Sequence, residues 1–295
     1  MRVFPFKENG WYLRPGASLF ILPFFLALVG CGSPTDERTA PPTNAPKSGA
    51  AFRLQPLGTH PHRPDFFTQG LFFWQGRLYE SIGLRGRSAF IKYAPDHQRI
   101  QIMRRLDDAH FGEGAAQLGG ILYQLTWQAG QALAWRGPML SPAEGFRYRG
   151  EGWGLTADGS GLWMSNGSAK LTYRDTKGTV HRTITARWQG KPLDRLNELE
   201  WINGWLFANR WQDTRIYIID PKNGMVHAAL NLAEFARPHL QKSRDNVLNG
   251  IAWNPATEEL WITGKNWDQF YRFKLTMPAK NPPPTADNAT AENAP

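Results

Sequence analysis

The sequence predicts an all-β fold, a five-bladed β-propeller. A short motif, in which a polar residue opens an apolar strand, recurs five times, beginning at Gln69, Glu113, Glu151, Asn197 and Asn249, so that successive copies start 44, 38, 46 and 52 residues apart. Each copy continues into a turn and a second apolar run, and helical periodicity is nearly absent outside residues 232–240. Repeats of about 40–50 residues built from short strands are typical of propeller blades. The alignment also predicts that these five polar side chains surround a central channel.

Turn sequences divide each repeat into short strand-like runs. Apolar and aromatic residues fill these runs, for example residues 71–74, 121–125, 199–202, 216–219 and 260–262. Residue pairs that favour tight turns follow the opening strands, at 75–76, 119–120, 158–159, 203–204 and 254–255. Since the motif has no sixth copy, we expect five four-stranded blades. The segment before Gln69 or the run at residues 270–275 should complete a blade shared by the two ends of the domain.

The two ends of the chain differ in composition from its middle. Residues 1–30 combine basic residues with a short apolar stretch, which predicts a secretory signal too short to span a membrane as a helix. The stretch ends in Leu28-Val29-Gly30-Cys31, which resembles the lipobox of bacterial lipoproteins and predicts that Cys31 is lipidated. Residues 31–50 are predicted to be a flexible linker and residues 277–295 a disordered tail rich in Pro, Ala and Asn. Residues 51–276 are then the propeller domain.

The lipobox predicts a location in the cell envelope. Cys31 is the only cysteine, so no intramolecular disulfide can form. Because Gly32 rather than Asp follows it, we expect a lipid anchor in the outer membrane that faces the periplasm. The net charge is +9, but the arginines are scattered and form no basic run, which argues against nucleic acid as a partner. We expect a monomer that contacts the membrane through its lipid.

A second column of residues lies five positions after the leucine of the second apolar run in each repeat. It holds Gly83, Trp127, Gly167, Trp211 and Lys265. Core packing does not account for the lysine, because a buried lysine is rarely found without a partner. This second-strand column therefore predicts a functional site at the mouth of the channel.

Seven ordered blocks give the chain a resemblance to a known family. They are residues 62–71 (HRPDFFTQGL), 79–84 (YESIGL), 111–114 (FGEG), 122–127 (LYQLTW), 151–156 (EGWGLT), 196–201 (LNELEW) and 248–252 (LNGIA) with 263–265 (TGK). In these blocks the chain resembles the plant and bacterial type of glutaminyl-peptide cyclotransferase, or glutamine cyclotransferase, a five-bladed propeller. It departs from that pattern at Asn166, where Asp is usual, and at Arg210, where a small apolar residue is common. The arginine could alter access to the site or substrate preference.

The resemblance implies cyclisation of the N-terminal glutamine of a peptide or protein to pyroglutamate, with release of ammonia and without zinc. Such an enzyme must hold the bent substrate, move a proton and stabilise an oxyanion. The implied proton carrier is Glu113, whose pKa should be raised by burial among aromatic rings. The implied oxyanion donors are Asn197 and Lys265, helped by an indole N–H of Trp127 or Trp211. The remaining implied roles are contacts of Gln69 and Glu151 with the substrate amide and amine, and an apolar wall of Phe67, Phe111, Trp153 and the other two tryptophans.

Two other classes of protein fit the residues less well. A metal-dependent propeller lactonase or hydrolase also uses a ring of Glu and Asn, but it gives Trp127, Trp211 and Lys265 no role. A non-catalytic envelope propeller would need none of these side chains. His60 and His62 flank Pro61 with no third ligand nearby in sequence, so we expect no zinc site and no cofactor. Glu and Asn oxygens at the channel could hold a structural cation such as calcium.

Overall fold

The computed structural model describes residues 51–278, which contain five four-stranded antiparallel sheets. The sheets are the blades of a five-bladed propeller, as the five motif copies predict. The predicted signal peptide, the predicted lipidation site at Cys31, the predicted linker and residues 279–295 of the tail lie outside the described residues. In the described part of the chain, no helix is long and apolar enough to cross a membrane.

The first three blades are meanders in which consecutive strands pair. The first blade contains β2 (Thr68–Trp74), β3 (Arg77–Ile82), β4 (Ala89–Tyr93) and β5 (Ile100–Arg105). The second contains β6 (Gly112–Leu118), β7 (Ile121–Thr126), β8 (Gln131–Arg136) and β9 (Ser141–Arg147). The third contains β10 (Leu155–Ala157), β11 (Leu162–Met164), β12 (Lys170–Arg174) and β13 (Val180–Thr185).

The last two blades are each preceded by an additional element. The hairpin of β14 (Arg187–Trp188) and β15 (Lys191–Pro192) leads into the fourth blade, which contains β16 (Leu196–Ile202), β17 (Trp205–Arg210), β18 (Arg215–Ile219) and β19 (Val226–Asn231). The helix α1 (Ala233–Leu240) leads into the fifth blade, which contains β20 (Leu248–Asn254), β21 (Glu259–Gly264) and β22 (Gln269–Thr276). The fifth blade takes its outer strand, β1 (Arg53–Pro61), from the start of the described chain. The helical periodicity near residues 232–240 is thus confirmed.

The inner strands β2, β6, β10, β16 and β20 contact one another in a closed ring around the channel. Glycines allow this close approach, because a Cβ added to Gly70 would lie only 2.5 Å from the backbone N of Ala115. A Cβ on Gly114 would collide with the backbone of the next inner strand in the same way. A Cβ on Gly154 would collide with the backbone of Asn197. A larger residue at these positions would push neighbouring strands apart.

Aromatic side chains fill the space between the sheets. Phe72 and Tyr79 stack with ring centres 5.3 Å apart in the first blade, and Phe90 stacks on Trp135 of the second blade at 4.8 Å. Pairs of this kind contribute about 0.5–1.5 kcal/mol beyond the burial of their surface. The hydrophobic clusters therefore join neighbouring blades rather than belonging to single sheets.

The helix α1 is fixed to the fifth blade. It buries Ala236 and His239, three residues apart on one face. The His239 ring stacks on the fully buried Trp267 with ring centres 4.2 Å apart. The Trp267 indole N–H also donates to the carbonyl oxygen of Asn246 at 2.8 Å, which ties residues 241–247, the loop that joins α1 to β20, to the fifth blade.

The ring is closed without a covalent bond. β1 pairs antiparallel with β22 from Arg53 opposite Thr276 to Pro61 opposite Gln269. Just beyond β1, the backbone N–H of His62 donates to the carbonyl oxygen of Asp268 at 3.0 Å. The expected shared blade is therefore confirmed, with the N-terminal segment as its outer strand.

A buried polar cluster ties this seam to the first blade. His62 Nε2 lies 3.1 Å from Oε1 of Glu80, and its Nδ1 lies 2.7 Å from the carbonyl oxygen of Trp267. Glu80 also accepts hydrogen bonds from the hydroxyls of Thr68 at 2.7 Å and Tyr93 at 2.5 Å. One carboxylate thus joins groups from the seam and from two strands of the first blade.

Glu80→Ala would leave these buried groups without their shared acceptor. We expect the free energy of unfolding to fall by about 1–3 kcal/mol for each buried donor left without an acceptor. Urea unfolding should show this loss, whereas Glu144→Ala, at an exposed position on β9, should change the value by less than about 0.5 kcal/mol. Equal small losses in both variants would show that strand pairing alone holds the seam.

Candidate active site

A cavity of 430 Å³ lies at the end of the channel where the inner strands begin. It is lined by Phe67, Gln69, Phe111, Glu113, Trp127, Trp153, Asn197, Trp211, Asp245 and Lys265. This list contains nine of the ten residues predicted to line the site. Glu151 is not among them, and Asp245 was not predicted.

A wider groove of 920 Å³ follows β8 and β9 at the outer edge of the second blade. Its charged residues Glu144, Arg147 and Lys177 are all exposed, so water satisfies them. The channel cavity instead gathers buried polar groups, which are costly to maintain without a function. We therefore take the channel cavity as the candidate active site.

A chain of hydrogen bonds links three of the residues that open the inner strands. Asn249 donates through Nδ2 to Oε1 of Gln69 at 3.0 Å, and Gln69 donates through Nε2 to Oε1 of Glu113 at 3.0 Å. Both ends of the Gln69 carboxamide are therefore bound by the protein, and Gln69 orients Glu113. Oε2 of Glu113 has no hydrogen-bond partner among residues 51–278 and is available to a ligand.

Burial shifts the ionisation of the two charged groups deepest in the cavity. It raises the pKa of Glu113 well above its ordinary value, in the expected direction, while the Lys265 charge opposes this shift and the Glu151 charge adds to it. Burial also lowers the pKa of Lys265 to about 8, against the attraction of Glu113 and Asp245. Both shifts favour the uncharged form, which makes Glu113 a stronger base and Lys265 a stronger acid than the same groups on the surface.

The side chains of Lys265 and Asn197 make no hydrogen bond within the described part of the chain. The Lys265 ammonium lies 4.5 Å from the centre of the Phe67 ring, a cation–π contact. The Asn197 Oδ1 atom is buried and accepts no hydrogen bond from the described residues. A buried polar atom in this state costs about 1–3 kcal/mol. A ligand that brings both an N–H and a carbonyl oxygen into the cavity would satisfy these groups.

Aromatic rings form the sides of the cavity. Phe111 makes edge-to-face contacts with Phe67 at 6.1 Å and with Trp127 at 5.7 Å between ring centres. Trp153 packs edge-to-face against Trp211 at 6.2 Å. Trp211 is 38% exposed, so it forms the rim, and the other rings lie deeper.

The glycines of the second-strand column make room for two of these rings. A Cβ on Gly83 would collide with the ring of Phe111, and a Cβ on Gly167 would lie 2.7 Å from the ring of Trp153. In the first and third blades, therefore, an aromatic ring from a neighbouring segment packs against the column. The second and fourth blades place their own Trp127 and Trp211 there.

The third motif copy lies two residues later than the sequence alignment has it. Leu155 pairs with Met164 between β10 and β11 as Leu71 pairs with Glu80 between β2 and β3. Trp153, two residues before Leu155, therefore stands where Gln69 stands in the first blade. The predicted ring of five polar residues is wrong at this position, and the observed ring is Gln69, Glu113, Trp153, Asn197 and Asn249.

Glu151 lies outside the lining of the cavity, next to Trp153. Its Oε2 accepts the indole N–H of Trp153 at 2.9 Å, and its carboxylate also accepts hydrogen bonds from the side chains of Trp127 and Gln128. Burial alone would raise the pKa of Glu151, but these hydrogen bonds lower it below its ordinary value. Glu151 therefore binds two of the indole N–H groups, those of Trp153 and Trp127. Of the two indoles expected to face an oxyanion, only that of Trp211 is not bound in this way.

Asp245 is the lining residue that the sequence analysis missed. It lies in the loop between α1 and β20, outside every repeat, so the alignment of motifs does not reach it. Its exposed carboxylate stabilises the charged form of Lys265. The signal in the sequence is an acidic residue four positions before the fifth motif, at Asn249.

The described residues bring together no group of three or more His, Cys, Asp or Glu side chains that could hold a metal ion. The two histidines considered as ligands have different partners. His60 Nε2 bonds the carbonyl oxygen of Asp96 at 2.9 Å, and His62 belongs to the buried cluster at Glu80.

Asp245→Asn should lower the pKa of Lys265 below about 8, because the carboxylate that favours the ammonium is removed. Lys265 would then lose its proton at a lower pH, which an NMR titration of its Cε signal measures directly. Asp108→Asn, at an exposed position that does not line the cavity, should leave the titration unchanged. An unchanged titration in the Asp245 variant would show that the two charges are screened from each other.

Comparisons with known proteins agree with this geometry. The family profile described as glutamine cyclotransferase matches residues 26–275. A glutaminyl-peptide cyclotransferase of Arabidopsis thaliana is 36% identical over 228 residues, which cover 75% of this chain and 71% of that protein. The crystal structure of Myxococcus xanthus glutaminyl cyclase superposes with a TM-score of 0.71 at 31% identity, covering 77% of this chain and 98% of that one. The chain belongs to the glutamine cyclotransferase family.

Proposed function

We propose that this protein converts the N-terminal glutamine of peptides to pyroglutamate with release of ammonia. The observation that carries the proposal is the combination of buried, unpaired polar groups in an aromatic cavity. Glu113, Lys265 and Asn197 line a cavity whose other walls are mainly aromatic, and Asn197 Oδ1 is buried without a hydrogen-bond partner among the described residues. A glutamine side chain has the acceptor and donors that these groups lack, together with an aliphatic stem for the walls. Family membership supports the same activity.

The reaction needs no external nucleophile. The α-amine nitrogen attacks the γ-carbonyl carbon of the same residue, so a C–N bond forms and the carbonyl becomes a tetrahedral oxyanion. The C–N bond to the original amide nitrogen then breaks, and ammonia leaves after gaining one proton. The amine loses one proton and the leaving nitrogen gains one, so a single acid–base group can carry the proton from one to the other.

Glu113 is the group we assign to proton transfer. Its raised pKa makes the carboxylate a stronger base than an exposed one, and the resulting acid can return the proton to the leaving nitrogen. Gln69 donates a hydrogen bond to Oε1 of Glu113, which leaves Oε2 of Glu113 for the substrate. The hydrogen-bonded chain from Asn249 thus keeps the reactive oxygen in one orientation.

Lys265 and Asn197 are the groups we assign to the oxyanion and the amide. An ammonium held in an apolar cavity stabilises developing negative charge more strongly than it would in water. The Asn197 carboxamide can donate through Nδ2 to the oxyanion and accept through Oδ1 from a substrate N–H. The Trp211 indole is the remaining aromatic donor, and the other rings keep the glutamine side chain bent towards its own amine.

The test of this function is incubation of the protein with a glutamine-initiated dipeptide. Ammonia should appear in equal amount to a product lighter by one ammonia, both with and without a metal chelator. Loss of activity with chelator would favour a metal-dependent propeller hydrolase. Absence of product under all conditions would favour a non-catalytic envelope protein.

Glu113→Gln should retain the fold and the contact with Gln69 but lack a proton carrier. General acid–base groups contribute about 10²–10⁴-fold, so we expect kcat to fall by that factor in the ammonia assay while substrate still binds. Glu144→Gln, at an exposed position in the second blade, is the matched control and should keep the wild-type rate. A near-normal rate in Glu113→Gln would move the proton-transfer role elsewhere.

We also propose that the protein works as a lipid-anchored monomer at the outer membrane, facing the periplasm. The lipobox at Cys31 supports this, and a lipidated cysteine carrying more than one chain gives stable anchoring. Cys31→Ser should move the protein to the soluble fraction, or leave its signal uncleaved, without changing ammonia release per molecule. Membrane fractionation with mass measurement distinguishes these states. A cleaved variant that stays on membranes would show that the basic surface is the anchor.

A further inference from the structure

A second cavity of 320 Å³ lies beside the candidate active site. It is lined by Gln212, Asp213, Leu240, Arg244, Val247 and Leu248, none of which lines the first cavity. Its elements are the turn after β17 and the segment from the end of α1 into β20. Most of these residues lie outside the repeats, so the alignment of motifs does not reach this cavity.

The two cavities share a wall. Trp211 lines the first cavity, and its neighbour Gln212 lines the second. Likewise, Asp245 lines the first cavity, and its neighbour Arg244 lines the second. The backbone N–H of Lys265, whose side chain lines the first cavity, donates to the carbonyl oxygen of Val247 in the second at 2.9 Å. A chain leaving the first cavity over Trp211 and Asp245 therefore passes directly onto the second.

The second cavity has an apolar floor and one unpaired charge. Val247 and Leu248 are 2% and 1% exposed, and Leu240 is partly buried beside them. The charge of Asp213 is neutralised by Arg215 at 2.8 Å and Arg210 at 3.5 Å. Arg244 makes no hydrogen bond or ion pair with any residue in the range 51–278. The cavity thus suits an apolar group next to a carbonyl or carboxylate oxygen.

We propose that this second cavity is the subsite for the residue that follows the N-terminal glutamine. The proposal rests on the function proposed above. With the glutamine side chain in the first cavity, its own carbonyl lies at the rim, and one further residue extends the chain by at most about 3.3–3.6 Å. The second side chain then contacts Leu240, Val247 and Leu248, and Arg244 binds the oxygen of the carbonyl or carboxylate that follows.

The proposal predicts a preference among short substrates of the intact protein. Gln-Leu should be converted with a kcat/KM at least about tenfold above that of Gln-Gly, because filling an apolar pocket discriminates by about 10–200-fold. Gln-Leu as the free acid should be preferred to Gln-Leu amide, because only the acid carries a carboxylate for Arg244. Initial rates of ammonia release give both ratios.

Three variants test which residues set the two ratios. Leu240→Ala should lower the Leu-to-Gly ratio severalfold, and Arg244→Ala should bring the acid-to-amide ratio close to one. Arg237→Ala is the matched control, because it removes an exposed arginine of α1 that lines neither cavity and should keep both ratios. Since Leu240 also packs against the core, the Arg244 variant decides the outcome if Leu240→Ala unfolds.

The outcomes separate this proposal from the function itself. No ammonia from any glutamine peptide would overturn the proposed function, and the subsite with it. Ammonia from every peptide at equal kcat/KM would leave the function standing and overturn the subsite. If Arg244→Ala and Arg237→Ala changed the two substrate ratios equally, the subsite would also be overturned. The change in the ratios would then come from the protein's net charge rather than from a contact made by Arg244.

Discussion

The close approach of the five inner strands is the constraint on which this structure depends. Glycine lets neighbouring backbones touch at Gly70, Gly114 and Gly154, and the fourth blade has Glu198 at the equivalent position. Its carboxylate accepts backbone N–H groups of β2 at 3.3 Å and of β20 at 3.0 Å, and burial raises its pKa well above the ordinary value. One side chain therefore joins three blades at the level just below the polar ring. The narrow channel in turn keeps that ring buried.

Burial at this level gives Glu113 and Lys265 their reactivity. Desolvation favours the neutral form of each, and their mutual attraction favours the charged form. Desolvation is the larger influence on each group, so the pKa of Glu113 is raised and the pKa of Lys265 is lowered to about 8. Asp245, at the mouth of the cavity, favours the charged form of Lys265 but does not act on Glu113. An exposed residue can therefore adjust the pKa of the buried lysine.

The propeller and most of the site could be predicted from the sequence, because each blade repeats the same strand-and-turn pattern. The frame of the third copy could not. A shift of two residues keeps every side chain on the same face of a strand, so apolar patterning cannot distinguish Glu151 from Trp153 at the head of β10. Only the pairing of Leu155 with Met164 decides it. Asp245 and the second cavity escaped prediction for another reason, since the α1–β20 loop has no counterpart in other blades.

The site arises from divergence among five nearly equivalent positions. In the second-strand column, two blades carry glycine and admit Phe111 or Trp153, two carry their own tryptophan, and the fifth carries Lys265. A ring of identical aromatic residues would close the channel mouth, and a ring of identical lysines would repel itself. One lysine among aromatic faces leaves a single cation in an apolar cavity, close to one buried carboxylate. That arrangement favours a neutral ligand with a polar end, and it directs the polar end towards Glu113 and Lys265.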